Sequence, residues 1–217
     1  MLGLIVALKN EASPVIDIME NKKHLSIAQK VVYEGEISGK KVVLILSGIG
    51  KVSAGLSTQL LIDKYGVDKI INFGTVGGLS ESVSIGNYYA VEKCCQYDFD
   101  LSDLDDVSVG YIQDYDCVYF SPSLVKGFLP SKNLATSDRF TCRENDIDTV
   151  KKLKCDIFDM EGSAIAQVST SNSVPCYLIK GVVDVHGSET HKDQFIKNLS
   201  AVCSGFGSLI KEFITKI

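Results

Sequence analysis

Three acidic residues in this sequence stand where apolar or glycine-rich segments give way to polar ones. Glu11 follows the apolar run near the N-terminus, Glu161 follows a short apolar run, and Asp184 follows two valines. If each run is a strand of an α/β fold, the acids lie at strand ends, outside which such folds bind their ligands. Three converging carboxylates therefore indicate acid–base chemistry on a polar organic substrate.

The cysteines do not suggest a metal or redox centre. There are seven, an odd number, and no pair has the C-x-x-C spacing of metal or redox motifs. The adjacent pair Cys94-Cys95 could serve either purpose, but adjacent cysteines rarely bind one ion and no histidine is nearby. We therefore expect reduced, mostly buried structural thiols, no metal site and no cofactor.

The elements that must position the acids alternate along the chain. Apolar runs predict strands at Leu2–Ala7, Val31–Glu36, Lys41–Leu46, Val67–Phe73, Asn87–Cys95, Leu134–Thr136, Asp156–Phe158 and Val174–Val183. Helices are predicted at Glu11–Glu20, Lys51–Lys64 and Gly162–Thr170 and within Asp193–Ile217. This alternation predicts an α/β fold in one domain over residues 1–217, with a mixed, mostly parallel central sheet flanked by helices.

Two glycine-rich segments could hold a ligand. Ser47–Ser53 joins a strand to a helix, where backbone N–H groups can bind an anion or a sugar oxygen. It matches neither the P-loop nor the dinucleotide fingerprint, and a tight turn is the simpler alternative. In Gly74–Gly78, three glycines allow a ligand to approach the backbone and Thr75 offers a hydroxyl. The alternative there is a strand end with unusual dihedral angles.

Composition argues against several classes of partner. The 217 residues carry a net charge of −5, and no basic stripe could contact the phosphates of nucleic acid or an anionic membrane. The N-terminal apolar run lacks the basic region and cleavage site of a signal peptide. Since no apolar run approaches the roughly 18 residues of a membrane-spanning helix, we expect a cytoplasmic protein.

Six segments, taken in order, carry a family pattern along essentially the whole chain. They are Gly3–Glu11, Ser47–Val52, Ile71–Leu79, Ser137–Phe140, Asp159–Ala164 and Val182–Asp184. Each is weak alone, but together they resemble the nucleoside phosphorylase/nucleosidase superfamily. The likeness is strongest to its bacterial 5′-methylthioadenosine/S-adenosylhomocysteine nucleosidases, and it implies a nucleoside phosphorylase-like fold.

The resemblance implies hydrolysis of an N-glycosidic bond through an oxocarbenium-like transition state, with release of adenine. Asp184 would protonate the purine at N7, and Glu11 would orient and deprotonate the attacking water. Burial beside two valines suits the acid, because it raises a carboxyl pKa towards neutrality. Glu11 stands near a predicted helix N-terminus, whose dipole favours the charged form that a base needs.

The same resemblance implies how the nucleoside is held. Glu161 would bind the ribose hydroxyls, with Met160 packed against the sugar. Phe140 would stack on the base, and the backbone around Thr141 would contact the edge of the base. The remaining predicted substrate-binding residues are Leu8, Thr75, Gly77 and Lys180.

A phosphorylase is the alternative enzyme, since the superfamily also uses phosphate as a nucleophile. Its phosphorylases hold that anion with arginines, but Phe73 stands at a position where they tend to carry one. A water-activating carboxylate such as Glu11 would also repel dianionic phosphate. Hydrolysis is therefore favoured over phosphorolysis. A nucleoside-binding protein without turnover is a third reading, although it need not retain both acid and base.

Departures from the family pattern leave the nucleoside open. Lys180 replaces an arginine that helps to hold the acidic cluster, and lysine lacks the planar fork of arginine. Val183 replaces a serine, and Thr141 is polar where the family often has an aliphatic residue. Arg139 and Arg143 add positive charge to the base loop, the segment around Ser137–Phe140 that resembles the family's base-stacking loop. A purine other than adenine, or a 5′-deoxy- or aminofutalosine-like substrate, remains an alternative to methylthioadenosine.

The resemblance also implies a homodimer whose partner subunit closes the 5′ end of the pocket. Gln96–Tyr119 occupies the corresponding region and intersperses tyrosines and a phenylalanine with aspartates. Aromatic enrichment is typical of interface cores. A mobile surface loop is the alternative.

Overall fold

Among the residues that the structure describes, the central sheet contains nine strands. A computed structural model of the protein describes residues 1–104, 106–140, 142, 144–186 and 191–217, with the backbone alone at Glu144 and His191. The strands are β1 (Leu2–Val6), β2 (Glu20–Ile27), β3 (Lys30–Ile37), β4 (Lys40–Leu46), β5 (Lys69–Gly78), β6 (Tyr88–Gln96), β7 (Ser131–Thr136), β8 (Ile157–Asp159) and β9 (Cys176–Val185).

Five α-helices lie in the described residues. They are α1 (Lys9–Asp17), α2 (Lys51–Tyr65), α3 (Glu144–Lys152), α4 (Gly162–Ser171) and α5 (His191–Lys216). None of these described helices is both long and apolar enough to cross a membrane. The segment Gln96–Ser123 shows no clear periodicity of apolar residues in the sequence. Its described residues form one 3₁₀ turn, Gln113–Tyr115, and take part in isolated β-bridges.

The sheet is mixed and partly closed. Its strand order is β2-β3-β4-β1-β5-β8-β7-β6-β9, and β9 also pairs with β5. Strands β5, β8, β7, β6 and β9 thus form a closed ring, from which β1, β4, β3 and β2 extend as an open wing. Five of the nine pairings are parallel and four antiparallel. The predicted mixed, mostly parallel α/β sheet is confirmed.

Helices cover both faces of this sheet, because neighbouring strand residues point to opposite sides. Ile5 packs in a core with Leu61 of α2 and Ile165 of α4. Leu4 packs in a second core, which includes residues of α1 and α5 such as Val15 and Phe206. The predicted flanking helices are therefore confirmed.

Three elements differ from the prediction. The first helix ends at Asp17, and Glu20, where we placed its end, begins β2 instead. This edge strand is mostly exposed and charged, so it lacks the alternation that identifies a half-buried strand. Helix α3 lies in a stretch to which we assigned no element.

The strands bring the three acids to the site from different directions. Strands β1 and β9 both pair with β5 in parallel, so Glu11 and Asp184 come from the carboxyl ends of parallel strands as predicted. Strand β8, which precedes Glu161, pairs with β5 in the antiparallel sense. Glu161 thus lies just after the carboxyl end of its strand, as predicted, but this strand runs opposite to β5.

Candidate active site

A cavity of about 240 Å³ lies where these strand ends meet. Eight predicted site residues line it: Leu8, Glu11, Thr75, Gly77, Phe140, Met160, Glu161 and Asp184. The other lining residues are Ala7, Ile49, Val76, Phe158, Asp159, Val183 and Phe195. The lining is thus mainly apolar, with a small number of carboxylates, as is typical of a site for a small organic ligand. Predicted Thr141 lies outside the described residues.

Glu11 is held by three hydrogen bonds in the first turn of α1. Its Oε1 accepts from the backbone N–H and from the hydroxyl of Thr75, both at 2.7 Å. Its Oε2 accepts from the backbone N–H of Leu8 at 3.1 Å. A carboxylate fixed in this way can orient a water molecule but cannot swing freely.

Burial changes the acidity of Glu11 in a direction that we did not predict. The side chain is 3% exposed. Burial raises its pKa, and the hydrogen bonds from Thr75 and Leu8 and the charge of Lys180 only partly oppose this. Desolvation therefore outweighs the contacts that stabilise the charged form. A raised pKa makes the carboxylate a stronger base.

Asp184 reaches the cavity through a bulge in β9. Val76 pairs with Val182, but Gly77 pairs with Asp184, so Val183 is the extra residue. A bulge re-aims the side chains that follow it, and Val183 and Asp184 both line the cavity. Burial raises the pKa of Asp184 to about 7, in the direction expected for a general acid near neutral pH.

Gly77 is required by the crowding around Asp184. A Cβ atom at this position would lie 2.2 Å from the Phe158 ring and 2.5 Å from Oδ1 of Asp184. Neither contact is compatible with a side chain. The glycine therefore allows the aromatic ring and the carboxyl group to pack on the same stretch of β5.

Glu161 precedes the first residue of α4 and contacts the turn before α2. Its Oε1 accepts from the backbone N–H of Gly50 at 2.8 Å. Burial, together with repulsion from the Asp159 carboxylate, raises its pKa to about 7, while the Gly50 N–H and Lys180 act in the opposite direction. The charge of Glu161 thus depends on two opposed neighbours, because Asp159 favours its protonated form and Lys180 favours its ionised form.

Lys180 lies behind the cavity wall instead of on it. Its ammonium group is 2.8 Å from Oδ2 of Asp159 and donates to Oδ1 of Asn72 at 2.6 Å. Asp159 also accepts from Thr136 and from the backbone N–H of Gly162 at the start of α4. The structure therefore gives Lys180 no place among the described lining residues, contrary to its predicted contact with the substrate. The buried pair instead fixes β8 and β9 beneath the carboxylates.

The base loop presents Phe140 at the mouth of the cavity. Phe140 is 49% exposed, and its ring meets Phe195 edge-on with centroids 5.3 Å apart. Phe195 comes from α5 and was missed, because an aromatic residue at helical spacing is indistinguishable from a core residue in sequence. Arg139 pairs with Asp146 at 2.5 Å, so its predicted positive charge is locally balanced.

Comparison with known proteins identifies the family. Residues 1–215 match the Phosphorylase superfamily. The 5′-methylthioadenosine/S-adenosylhomocysteine nucleosidase of Buchnera aphidicola subsp. Schizaphis graminum is 30% identical over 229 residues, covering 100% of this chain and 97% of that protein. The chain belongs to the 5′-methylthioadenosine/S-adenosylhomocysteine nucleosidase family. The predicted resemblance is therefore confirmed.

Solved structures show how closely the nucleosidase fold is kept. The Streptococcus pneumoniae nucleosidase, solved with the transition-state inhibitor MT-ImmA, has a TM-score of 0.88 at 23% identity, with 99% of this chain and 98% of that chain covered. The Helicobacter pylori futalosine hydrolase has a TM-score of 0.90 at 21% identity, with coverage of 100% and 97%. Since hydrolases named for different nucleosides share this fold, the fold alone does not choose the substrate.

Proposed function

We propose that this protein is a purine nucleosidase that hydrolyses the N-glycosidic bond of 5′-methylthioadenosine, S-adenosylhomocysteine or similar nucleosides and releases adenine. The observation that carries the proposal is the convergence of Asp184, Glu11 and Glu161 on one mainly apolar cavity. The 30% identity to nucleosidases of Buchnera aphidicola and Bacillus subtilis supports the same reaction.

Asp184 is the general acid in this proposal. With a pKa of about 7, a substantial fraction of its carboxyl groups carries a proton at neutral pH. Transfer of that proton to N7 lets the electron pair of the glycosidic bond leave with adenine as a neutral base. Positive charge then develops at C1′ and the ring oxygen of the ribose.

Glu11 is the base that completes the reaction. The water oxygen forms the new bond to C1′, and one of its protons passes to the Glu11 carboxylate. The products are adenine and a free thioribose. The proton lost by Asp184 is matched by the one gained by Glu11, and exchange with solvent restores both groups.

Glu161 and Met160 are the proposed ribose contacts. A carboxylate has about four lone-pair positions, so Glu161 can accept from ribose hydroxyls while Gly50 donates to it. Its negative charge also stabilises the developing oxocarbenium ion. Phe140 and Phe195 supply the apolar rings against which the base or the 5′ substituent packs.

Charge around the cavity favours water over phosphate. Its lining within the described residues contains Glu11, Asp159, Glu161 and Asp184, but no lysine or arginine. Lys180, the nearby buried cation, is paired with Asp159. A phosphate dianion would therefore meet mainly negative charge, and phosphorolysis, the alternative enzyme reaction, lacks an evident anion site in this part of the chain.

We also propose that the enzyme acts as a homodimer. Val52 and Leu56, one turn apart on α2, are 84% and 47% exposed, and Ile49 beside them is 55% exposed and lines the cavity. Leu104, within the predicted interface segment, is 80% exposed. An apolar patch that adjoins the site suits a partner subunit that closes it. Sedimentation of wild type and Val52→Asp would test this, with a dimer expected only for wild type.

Its location and metabolic role form part of the same proposal. The seven cysteines, all among the described residues, are thiols, which suits the reducing cytoplasm. Hydrolysis of methylthioadenosine would release a thioribose that carries the methionine sulfur, so we place the reaction in methionine salvage.

A nucleoside panel assayed with and without phosphate tests the proposed function. Methylthioadenosine, S-adenosylhomocysteine, adenosine, inosine and an aminofutalosine-like nucleoside would be compared by the base released. We expect adenine from the first two at rates independent of phosphate. Binding of these nucleosides without turnover of any would instead support a binding protein.

A further inference from the structure

Three residues outside the predicted site form a closed ring of polar contacts beside it. Asp98 follows β6, Asp138 precedes the base-loop residue Phe140 by two positions, and Lys51 begins α2. The ammonium group of Lys51 lies 2.7 Å from Oδ1 of Asp98. The backbone N–H of Asp138 donates to Oδ2 of Asp98 at 3.0 Å, and the backbone N–H of Lys51 donates to Oδ1 of Asp138 at 2.8 Å.

The ring joins two parts of the site that no strand connects directly. The turn that enters α2 supplies Lys51 and, one residue earlier, Gly50, whose N–H binds Glu161. The base loop supplies Asp138 and, two residues later, Phe140. A shift of either segment would therefore move both Glu161, the proposed ribose contact, and Phe140, the proposed stacking surface for the base.

Asp98 is the member that holds both segments at once. One of its oxygens binds the Lys51 side chain and the other binds the Asp138 backbone. The side chains of Lys51 and Asp98 are 17% and 13% exposed, so solvent screens this pair less than a surface ion pair. The positive φ of 97° at Gly50 lets the chain turn so that successive N–H groups reach Glu161 and Asp138.

We propose that Asp98 is a positioning residue for nucleoside binding, which acts through Lys51 and Asp138 to align Phe140 with Glu161. The expected change in KM rests on the proposed nucleosidase function, whereas the alignment of the two segments does not. It assigns a role in substrate affinity to a side chain that does not line the cavity.

The decisive variant is Asp98→Asn, which keeps the shape of the side chain. An amide replaces one oxygen by an NH₂ group, so a donor faces either the Lys51 ammonium group or the Asp138 N–H. We expect kcat/KM for methylthioadenosine to fall about tenfold, mainly through KM, and the Kd for adenine to rise by a similar factor. Asp63→Asn, the same change on the exposed C-terminal part of α2, should alter neither.

A double-mutant cycle with Lys51→Met separates the ring from general destabilisation. If the residues act as one unit, the double variant loses no more than the more impaired single variant. Lys51→Arg, which keeps the charge, should recover part of the affinity. The proposal would be overturned if the fold-increase in KM of the double variant equalled the product of the increases in the two single variants.

Amide hydrogen exchange tests the ring without any assumption about the reaction. Exchange of a peptide spanning residues 136–140 should speed up in Asp98→Asn and stay unchanged in Asp63→Asn. Unchanged exchange and unchanged adenine affinity in Asp98→Asn would overturn the positioning role. If wild type shows no turnover while exchange still responds as expected, the proposed function fails and the structural role of the ring stands.

Discussion

The floor and the mouth of the cavity are built in different ways. At the floor, Glu11 follows β1 and Asp184 lies near the end of β9, two strands that pair with β5 in parallel, and the two residues are 3% and 4% exposed. At the mouth, Phe140 is half exposed on a loop, and Phe195 comes from a helix late in the chain. The comparison suggests that the proposed chemistry depends on buried strand ends, whereas nucleoside choice depends on loops that can vary without disturbing the sheet.

The largest expected effect comes from breaking the floor at Asp184. Asp184→Asn keeps the size of the side chain but removes the acidic proton, so kcat for methylthioadenosine should fall at least about 100-fold. The fold should persist, because an uncharged amide is easier to bury than a carboxylate. Adenine release and thermal unfolding of this variant, beside Asp63→Asn, check both statements. A kcat close to that of wild type in Asp184→Asn would show that Asp184 is not the general acid.

The next effect tests the packing beneath the acid. Gly77→Ala would place a methyl group 2.2 Å from the Phe158 ring, so we expect a loss of about 1–3 kcal/mol in unfolding free energy and at least a tenfold loss in activity. Gly55→Ala in α2 is the matched control, since its Cβ would meet Val168 at an ordinary 3.6 Å. That variant should gain up to about 1 kcal/mol from helix propensity. Urea unfolding with activity assays compares the two.

A smaller effect is expected at the mouth. Phe140→Ala removes the proposed stacking surface, whose contribution of about 1–2 kcal/mol corresponds to roughly a tenfold higher KM. Because Phe140 is half exposed, kcat and the unfolding midpoint should change little. Steady-state kinetics provides the measurement. A loss confined to kcat would place Phe140 in the chemistry and would contradict the division between floor and mouth.

The effect that bears least on activity is the pH dependence of stability. The folded pKa of Asp184, about 7, exceeds the unfolded value of about 4, so the folded state binds the extra proton between these values. Stability should therefore be greatest below about pH 4 as far as this group is concerned, and its contribution should fall by about 3 kcal/mol as pH rises to 7. Urea unfolding at pH 5 and pH 8 should show a smaller decline in Asp184→Asn than in wild type.

The sequence predicts the floor better than the mouth. Glu11 follows the apolar strand β1 and Asp184 lies near the end of the long apolar strand β9. The type and direction of both strands are readable from β-branched residues and alternation with helices. Strand β8 has only three residues, too few to show in the sequence that it runs antiparallel to β5. The glycine segment was read as a strand end, yet β5 continues through it to Gly78 because the ring of strands supplies partners there.

Side-chain direction explains the remaining differences. Lys180 lies on a buried strand, and only the three-dimensional structure shows that its ammonium group meets Asp159 and Asn72 and not the cavity. Phe195 carries no local signal, since its role depends on how α5 packs against the base loop. The ring of Lys51, Asp98 and Asp138 joins residues 40 and more positions apart, a relation that a single sequence cannot reveal.

Oxygen-18 water most directly tests the central claim that an acid and a base in one buried cavity cleave the glycosidic bond with water. Methylthioadenosine would be converted in labelled water, with and without phosphate, and the sugar examined by mass spectrometry immediately after quenching. The account predicts free methylthioribose with one labelled oxygen, adenine in equal amount, and the same rate in both buffers. A sugar 1-phosphate, formed only when phosphate is present, would contradict it.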